Sequence, residues 1–408
     1  MTLREQAPTT ASSGTGSLLE VFAAFLKLGL LSFGGPIAHL GYFRDEFVTR
    51  RRWLDDAAYA DLVALAQFLP GPASSQVGFA LGVLRGKGLF GGLAAWAAFT
   101  APSVAIMVAF AFGGAIFAGP AGDGLLHGLK LVAVAMIAQA VWGMARTLTP
   151  DRPRAAIALA AVAIVALQNG AAGQTAAIAL GAVAGLWIGG AMPTDSAPQL
   201  AFPVSRRQGA AALALFVALF ITTPLLATAI GSQAISLFDA FYRSGALVFG
   251  GGHVVLPLLQ AEVVPRGWVT NETFLAGYGL AQAVPGPLFS FAAYLGAVMA
   301  PAPNGVPGAV IALVAVFLPG LLLIYGTLPF WDALRRRHRA QAAMRGANAA
   351  VVGVLAAALY SPVWTTTVLS ATDFTMALAG FLLLTVWKTP PWLVVMLLAG
   401  LSAGLAVL

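Results

Sequence analysis

Phe22-Ala23-Ala24-Phe25-Leu26-Lys27-Leu28-Gly29-Leu30-Leu31-Ser32-Phe33-Gly34-Gly35 returns in the second half of the chain as Phe238-Asp239-Ala240-Phe241-Tyr242-Arg243-Ser244-Gly245-Ala246-Leu247-Val248-Phe249-Gly250-Gly251. The register continues, with Glu46 on Glu262 and Arg50 on Arg266. After one gap Trp53 falls on Trp268, and Gln67-Phe68-Leu69-Pro70-Gly71-Pro72 falls on Gln282-Ala283-Val284-Pro285-Gly286-Pro287. Ser75 then meets Ser290, Pro102 meets Pro319, and Gly128 meets Gly346. Composition bias between two greasy helices does not align Trp, Phe-Gly-Gly and Pro-Gly-Pro in one register, so the chain is two copies of one unit.

The unit belongs in a membrane. A chain of 408 residues that is 59% hydrophobic and 9% charged, with a mean hydropathy of +0.87, has too little polar surface for soluble domains. At ~20 apolar residues per span there is room for roughly a dozen helices. The 46 glycines and 24 prolines lie inside otherwise apolar stretches, where carriers and channels break or closely pack the backbone. With no cysteine there is no disulfide, thiolate metal site or cysteine nucleophile. The net charge of +7, from 22 basic and 15 acidic residues, is too scattered for a nucleic-acid surface and fits an excess of Lys and Arg in cytoplasmic loops.

The expected fold class is all-α: a polytopic membrane protein of two homologous helical halves carrying broken or re-entrant helices. Residues 1–17 read as a disordered polar tail, 18–192 as the first repeat, 193–232 as a linker with one extra transmembrane helix, and 233–408 as the second repeat. The apolar segments from Ala155 and Thr175 are short for full spans, so they read as two tilted spans or one broken hairpin.

Charge decides how the copies are oriented. After the Pro-Gly-Pro segment the first copy has Arg85 and Lys87, whereas Ala300 to Val306 has no charge. One helix later the bias reverses: the first copy has only Asp123, the second Arg335, Arg336, Arg337, Arg339 and Arg345. The copies are therefore expected in opposite senses, with the segment from Gly209 to Ile230, flanked by Arg206 and Arg207, crossing once to invert the second. An inverted repeat is the mark of secondary transporters with a midplane site. The loop from Arg44 to Asp56 balances its charges and leaves the topology before residue 85 open.

Phe33-Gly34-Gly35-Pro36 with His39, Trp53, and Gln67 with Pro70-Gly71-Pro72, doubled in the second half, resemble the chromate ion transporter family in its long two-domain form. The resemblance implies an inner-membrane protein that exports chromate, with sulfate as the structural analogue. Gly252 stands where the first copy has Pro36, and Val255 where it has His39, so the halves are not interchangeable.

Pro-Gly-Pro removes donors and forbids helix before each proline, so both segments must break within the membrane. The second half-helix is expected to start with Pro72 or Pro287 in its first turn, aiming unpaired N–H groups into the break, which is an anion site by dipole and by donors. Ser75 and Ser290 add hydroxyls, and Gln67 and Gln282 add amides; a structural kink with packed glutamines is the plainer reading. Gly34, Gly35, Gly250 and Gly251 either line the substrate path or let backbones approach. Lys27 and Arg243 occupy one repeat position, and are read as converging on a cavity where two charges match a dianion, or as snorkelling. Glu46 and Glu262, with His39, are candidates for carrying a coupling proton, although a solvated ion pair in an interfacial loop is the blander account of the glutamates. Gly181, Gly185 and Gly189 read as a helix-packing stripe.

No metal site is expected, because His39, His127, His253 and His338 lack ligand-spaced partners. Gly86-Lys87-Gly88 lacks the Ser or Thr of a phosphate-binding loop, and Gly277-Tyr278-Gly279 is a weak likeness to a potassium filter that the first copy does not share. The chain therefore reads as no enzyme and as cofactor-free: a chromate exporter working by alternating access, with a sulfate or other oxyanion carrier and a passive anion channel as alternatives. Its partners are the small anion and the lipid bilayer, and its assembly, a homodimer included, stays open.

Overall fold

Local sequence rules place the helices of a computed structural model that describes residues 16–86, 88–113, 119–168, 170–188, 202–334 and 337–407. Most of the polar tail, Lys87, Gly189, Arg335 and Arg336 lie outside the described residues. The first copy forms α1 (Leu18–Leu31), α2 (Gly35–Arg44), α3 (Asp56–Phe68), α4 (Ala73–Arg85), α5 (Leu89–Phe112), α6 (Pro120–Leu148), α7 (Arg152–Leu167) and α8 (Ala171–Ile188). After α9 (Arg206–Ile230), the second forms α10 (Gln233–Ala246), α11 (Val255–Val263), α12 (Asn271–Ala281), α13 (Phe291–Val298) and α14 (Gly305–Thr327). It ends in α15 (Trp331–Leu334), α16 (His338–Ala358), α17 (Thr365–Thr367), α18 (Ala371–Thr385) and α19 (Pro391–Leu405). No strand occurs among the described residues, and six of their helices are long and apolar enough to cross a membrane. The protein is an all-α polytopic membrane protein.

Caps set several boundaries. Ser205 and Gln208 form a capping box that starts α9, and left-handed Gly231 stops it. Ser370 and Asp373 do the same at the start of α18. Two helices lie where the sequence read loops: α2, which carries Pro36 in its first turn, and the buried α11. The segments from Ala155 and Thr175 are two helices, α7 and α8, that pack on one another.

Contacts fix which helix ends share a face. Glu20 at the start of α1 pairs with Arg85 at the end of α4, 3.2 Å away, and with Arg51 at 3.8 Å, so the early charged loop sits beside the connector after α4. A Cβ on Gly88, just before α5, would lie 3.9 Å from the Pro203 carbonyl, and Gly209 of α9 packs on Pro329 after α14. This face carries Arg206, Arg207, Arg337 and Arg339. On the other face Gly305, opening α14, lies against Phe112, which ends α5, so these equivalent helices run antiparallel. There the Ala300 N–H also donates to the Trp268 carbonyl at 2.9 Å, joining the connector before α14 to the loop between α11 and α12.

The start of α1, the charged loop after α2 and the end of α4 thus lie together near the arginine-rich face, while the loop between α11 and α12 and the end of α13 lie near the opposite one. At 1.5 Å per residue, helices of 13 or 14 residues reach ~20 Å, too short for a ~30 Å hydrocarbon core but long enough to pass its centre.

Around these hairpins the copies interlock. Helix α6 packs on α18 and α19 of the second copy, and α16 packs on α7 and α8 of the first. The repeat-equivalent Gly128 and Gly346 sit at these crossings, the first against Leu398 and Ala399, the second against Gly181 and Gly185 of α8, so backbones approach where side chains are absent. Helix α9 lies outermost, with Leu215, Ile221 and Leu225 exposed, as suits a lipid-facing surface.

Candidate functional site

The hairpin tips meet inside the protein. The Gly71 N–H, in the first Pro-Gly-Pro, donates to the Val248 carbonyl at 2.7 Å, and the Gly286 N–H, in the second, donates to the Ser32 carbonyl at 2.9 Å. Gly71 and Gly286 are repeat equivalents, as are Ser32 and Val248, so one bond is made twice between the copies. Both glycines have left-handed φ, 123° and 98°, and a Cβ would lie 3.0 Å from Gly320 Cα at position 71 and 3.1 Å from Ser103 Oγ at 286. Gly320 and Ser103 each follow an in-helix proline, Pro319 or Pro102. The two copies also touch at equivalent positions: a Cβ on Gly252 would lie 3.2 Å from the Pro36 ring, which gives a steric reason for glycine where the first copy has proline.

Pro72 is the N-cap of α4, one residue earlier than the first-turn position expected, and it makes no side-chain capping bond. The opening turn of α4 holds three buried polar residues, Ser74, Ser75 and Gln76. The Gln76 amide donates to the Pro70 carbonyl at 2.9 Å and to the Gly320 carbonyl at 3.1 Å, bridging the break to α14. His39 Nδ1 lies 3.3 Å from Ser74 Oγ, and its ring stands edge-on to Phe99 at 5.3 Å. Ser75 Oγ, Gln76 Oε1 and His39 Nε2 are buried with no partner in the protein. A helix N-terminus without a cap, beside a buried hydroxyl and an imidazole nitrogen, offers donors to an anion. In the second copy Leu288–Ser290 is a 3₁₀ turn leading into the shorter α13. Ser290 is buried there, and Gln282 Nε2 is buried without a partner.

Other sequence-derived candidates lie elsewhere. Lys27 pairs with Glu46 at 3.2 Å, and Glu46 also holds Arg50 at 3.0 Å and Arg51 at 2.7 Å. Arg243 pairs with Asp239 at 3.0 Å and Glu262 at 3.4 Å, and Glu262 also holds Arg266. The structure puts each cation against a carboxylate of its own copy instead of against the other cation. Glu46 and Glu262 are 6% and 4% exposed, so they are buried anchors of these clusters and not solvated loop residues. Gly277 packs on Tyr294 and Gly279 on the Leu129 backbone, which makes the filter-like triplet part of a helix–helix contact. Gly34 and Gly250 are exposed at the tips, and Gly35 and Gly251 are half-buried.

The Chromate transporter family model matches the chain twice, over residues 19–186 and 235–405. The chain belongs to the chromate transporter family. A chromate transport protein of Pseudomonas aeruginosa is 32% identical over 98% of this chain and 94% of its own length. A chromate transport protein of Cupriavidus metallidurans is 27% identical over 87% of this chain and 86% of its own length. An uncharacterized transporter of Bacillus subtilis is 34% identical over 32% of this chain and 70% of its own length. No solved structure matches the chain.

Membership makes this chain a transporter, not an enzyme. Two residues at or between the copies escaped the sequence reading. Gln76 has no counterpart in the second copy, where Phe291 stands, so the repeat did not point to it. Lys130 sat inside an apolar segment; a lone cation on a spanning helix was the available signal.

Proposed function

We propose that this protein exports chromate from the cytoplasm across the inner membrane, by alternating access at the meeting point of two inverted halves. The substrate follows from the full-length relatives, which are chromate transport proteins. The carrying observation is the α4 N-terminus at the crossed tips, where no side chain caps the backbone and the Ser75 hydroxyl is buried without a partner. A tetrahedral dianion has acceptors on every side, which suits such a cradle. Ser75, Ser290, Gln67 and Gln282 with Gly34, Gly35, Gly250 and Gly251 line the path, while Glu46, Glu262 and His39 are the groups for a coupling proton.

Unequal environments of equivalent residues support the cycle. Gln67 is exposed, whereas Gln282 is half-buried with its Nε2 enclosed. Ala64 of α3 is exposed, whereas its equivalent Gly279 is pressed on α6. A Cβ on Gly34 would meet only Ala38 of its own copy within 4 Å, whereas one on its equivalent Gly250 would meet Leu148 and Met144 of α6. Exchanging these two environments between the copies would open the site to the opposite face. Everted vesicles test the function: labelled chromate should accumulate above empty-vector vesicles and respond to a proton gradient, with sulfate as the competing anion. Equal chromate uptake in the two preparations would contradict it.

A further inference from the structure

The cations chosen from the repeat are neutralised by carboxylates, but Lys130, well inside a spanning helix, has no such partner among the described residues. Lys130 lies ten residues, about 15 Å, along α6, and no carboxylate comes within ion-pair distance of it among the described residues. It lines a cavity of about 440 Å³ between α5 and α6 of the first copy and α12 and α13 of the second. Phe110, Thr273 and Tyr294 form apolar and hydroxyl-bearing walls, and the exposed Asp123 and Glu272 stand at the rim. The Tyr294 hydroxyl donates to the Thr273 carbonyl at 3.1 Å, which fixes that wall. The cavity lies on the face of Phe112 and Gly305, opposite the arginine-rich face.

An uncompensated ammonium on a membrane helix is expensive and marks a pathway or ligand. We propose that the Lys130 cavity is an oxyanion station on the exit side of the transport path, where Lys130 receives a tetrahedral dianion and the acidic rim limits its rebinding from outside. The proposal rests on the transport reading and adds a residue and a location to it. The ammonium offers three donors to one anion, and the space holds a tetrahedral oxyanion with water around it. Exposed rim acids act through screened repulsion, so they affect capture from outside more than occupancy within.

Purified protein in proteoliposomes decides it, with labelled chromate and sulfate as probes. Lys130→Gln should raise the apparent KM for chromate about tenfold or more, and Lys130→Arg should stay within about threefold of wild type. Glu272→Lys, at an exposed position, should lower the KM for anion entering from the cavity side. Unchanged KM in both Lys130→Gln and Glu272→Lys would overturn the station. Sulfate stabilisation of the detergent-solubilised protein against heat is read independently of flux, and should be present in wild type and lost in Lys130→Gln. Wild type that moves neither anion would refute the transport reading alone if this Lys130-dependent stabilisation persists, and would refute both if it is absent.

Discussion

Gly71 and Gly286 join the copies. Each supplies a backbone donor to the other copy at a φ that disfavours any side chain, against a neighbour that would have to give way to a Cβ. Gly71→Ala should therefore lose about 1 to 2 kcal/mol from the backbone alone, and more as α14 is pushed away. A lowered unfolding midpoint in detergent, with reduced chromate flux, is the expected result. Glu46 is the other residue whose loss should be felt. It holds Lys27, Arg50 and Arg51 while nearly buried itself, but Lys27 and Arg50 are 44% and 64% exposed, so solvent screens much of the attraction. Glu46→Gln should cost about 1 to 3 kcal/mol, measured as the same midpoint shift.

At the scale of elements, the proposed transport depends most on the break between α3 and α4. Replacing Pro70, Gly71 and Pro72 together by alanine favours one continuous helix, which buries the donors of the α4 N-terminus in its own backbone ladder. Membrane insertion should persist while chromate transport is lost, as read by immunodetection and vesicle flux. Gly346→Val tests a different element, because a side chain there meets the backbones of Gly181 and Gly185; overpacking at a crossing of this kind costs about 1 to 3 kcal/mol, seen as reduced heat stability.

Long apolar helices and the two breaks were legible because hydropathy and Pro-Gly-Pro are local signals. Helices α2 and α11 were not, since they follow Phe-Gly-Gly, which reads as loop, and are too short to show a membrane-length run. The ion-pair partners were also hidden. Lys27 meets Glu46 only because α1 and α2 fold back on one another, and no helical spacing within α1 announces it. The repeat named Ser75 but passed over Gln76 and Lys130, because a residue present in one copy only leaves no trace in an alignment of the copies.

For the whole molecule, interlocking of α6 with α18 and α19, and of α16 with α7 and α8, ties each half to the other's periphery. The hairpins meet at the centre inside this frame, so transport by this account means exchanging the covered and uncovered tips while the interlocked helices hold. That requires the copies to be inverted. Single cysteines in the naturally cysteine-free chain test this most directly, placed at Lys87 and Pro303, which belong to the same connector in the two copies, and at Arg337. An impermeant thiol reagent should reach positions 87 and 337 only from the cytoplasmic side and position 303 only from outside, whereas labelling of 87 and 303 from one side would contradict the inverted arrangement.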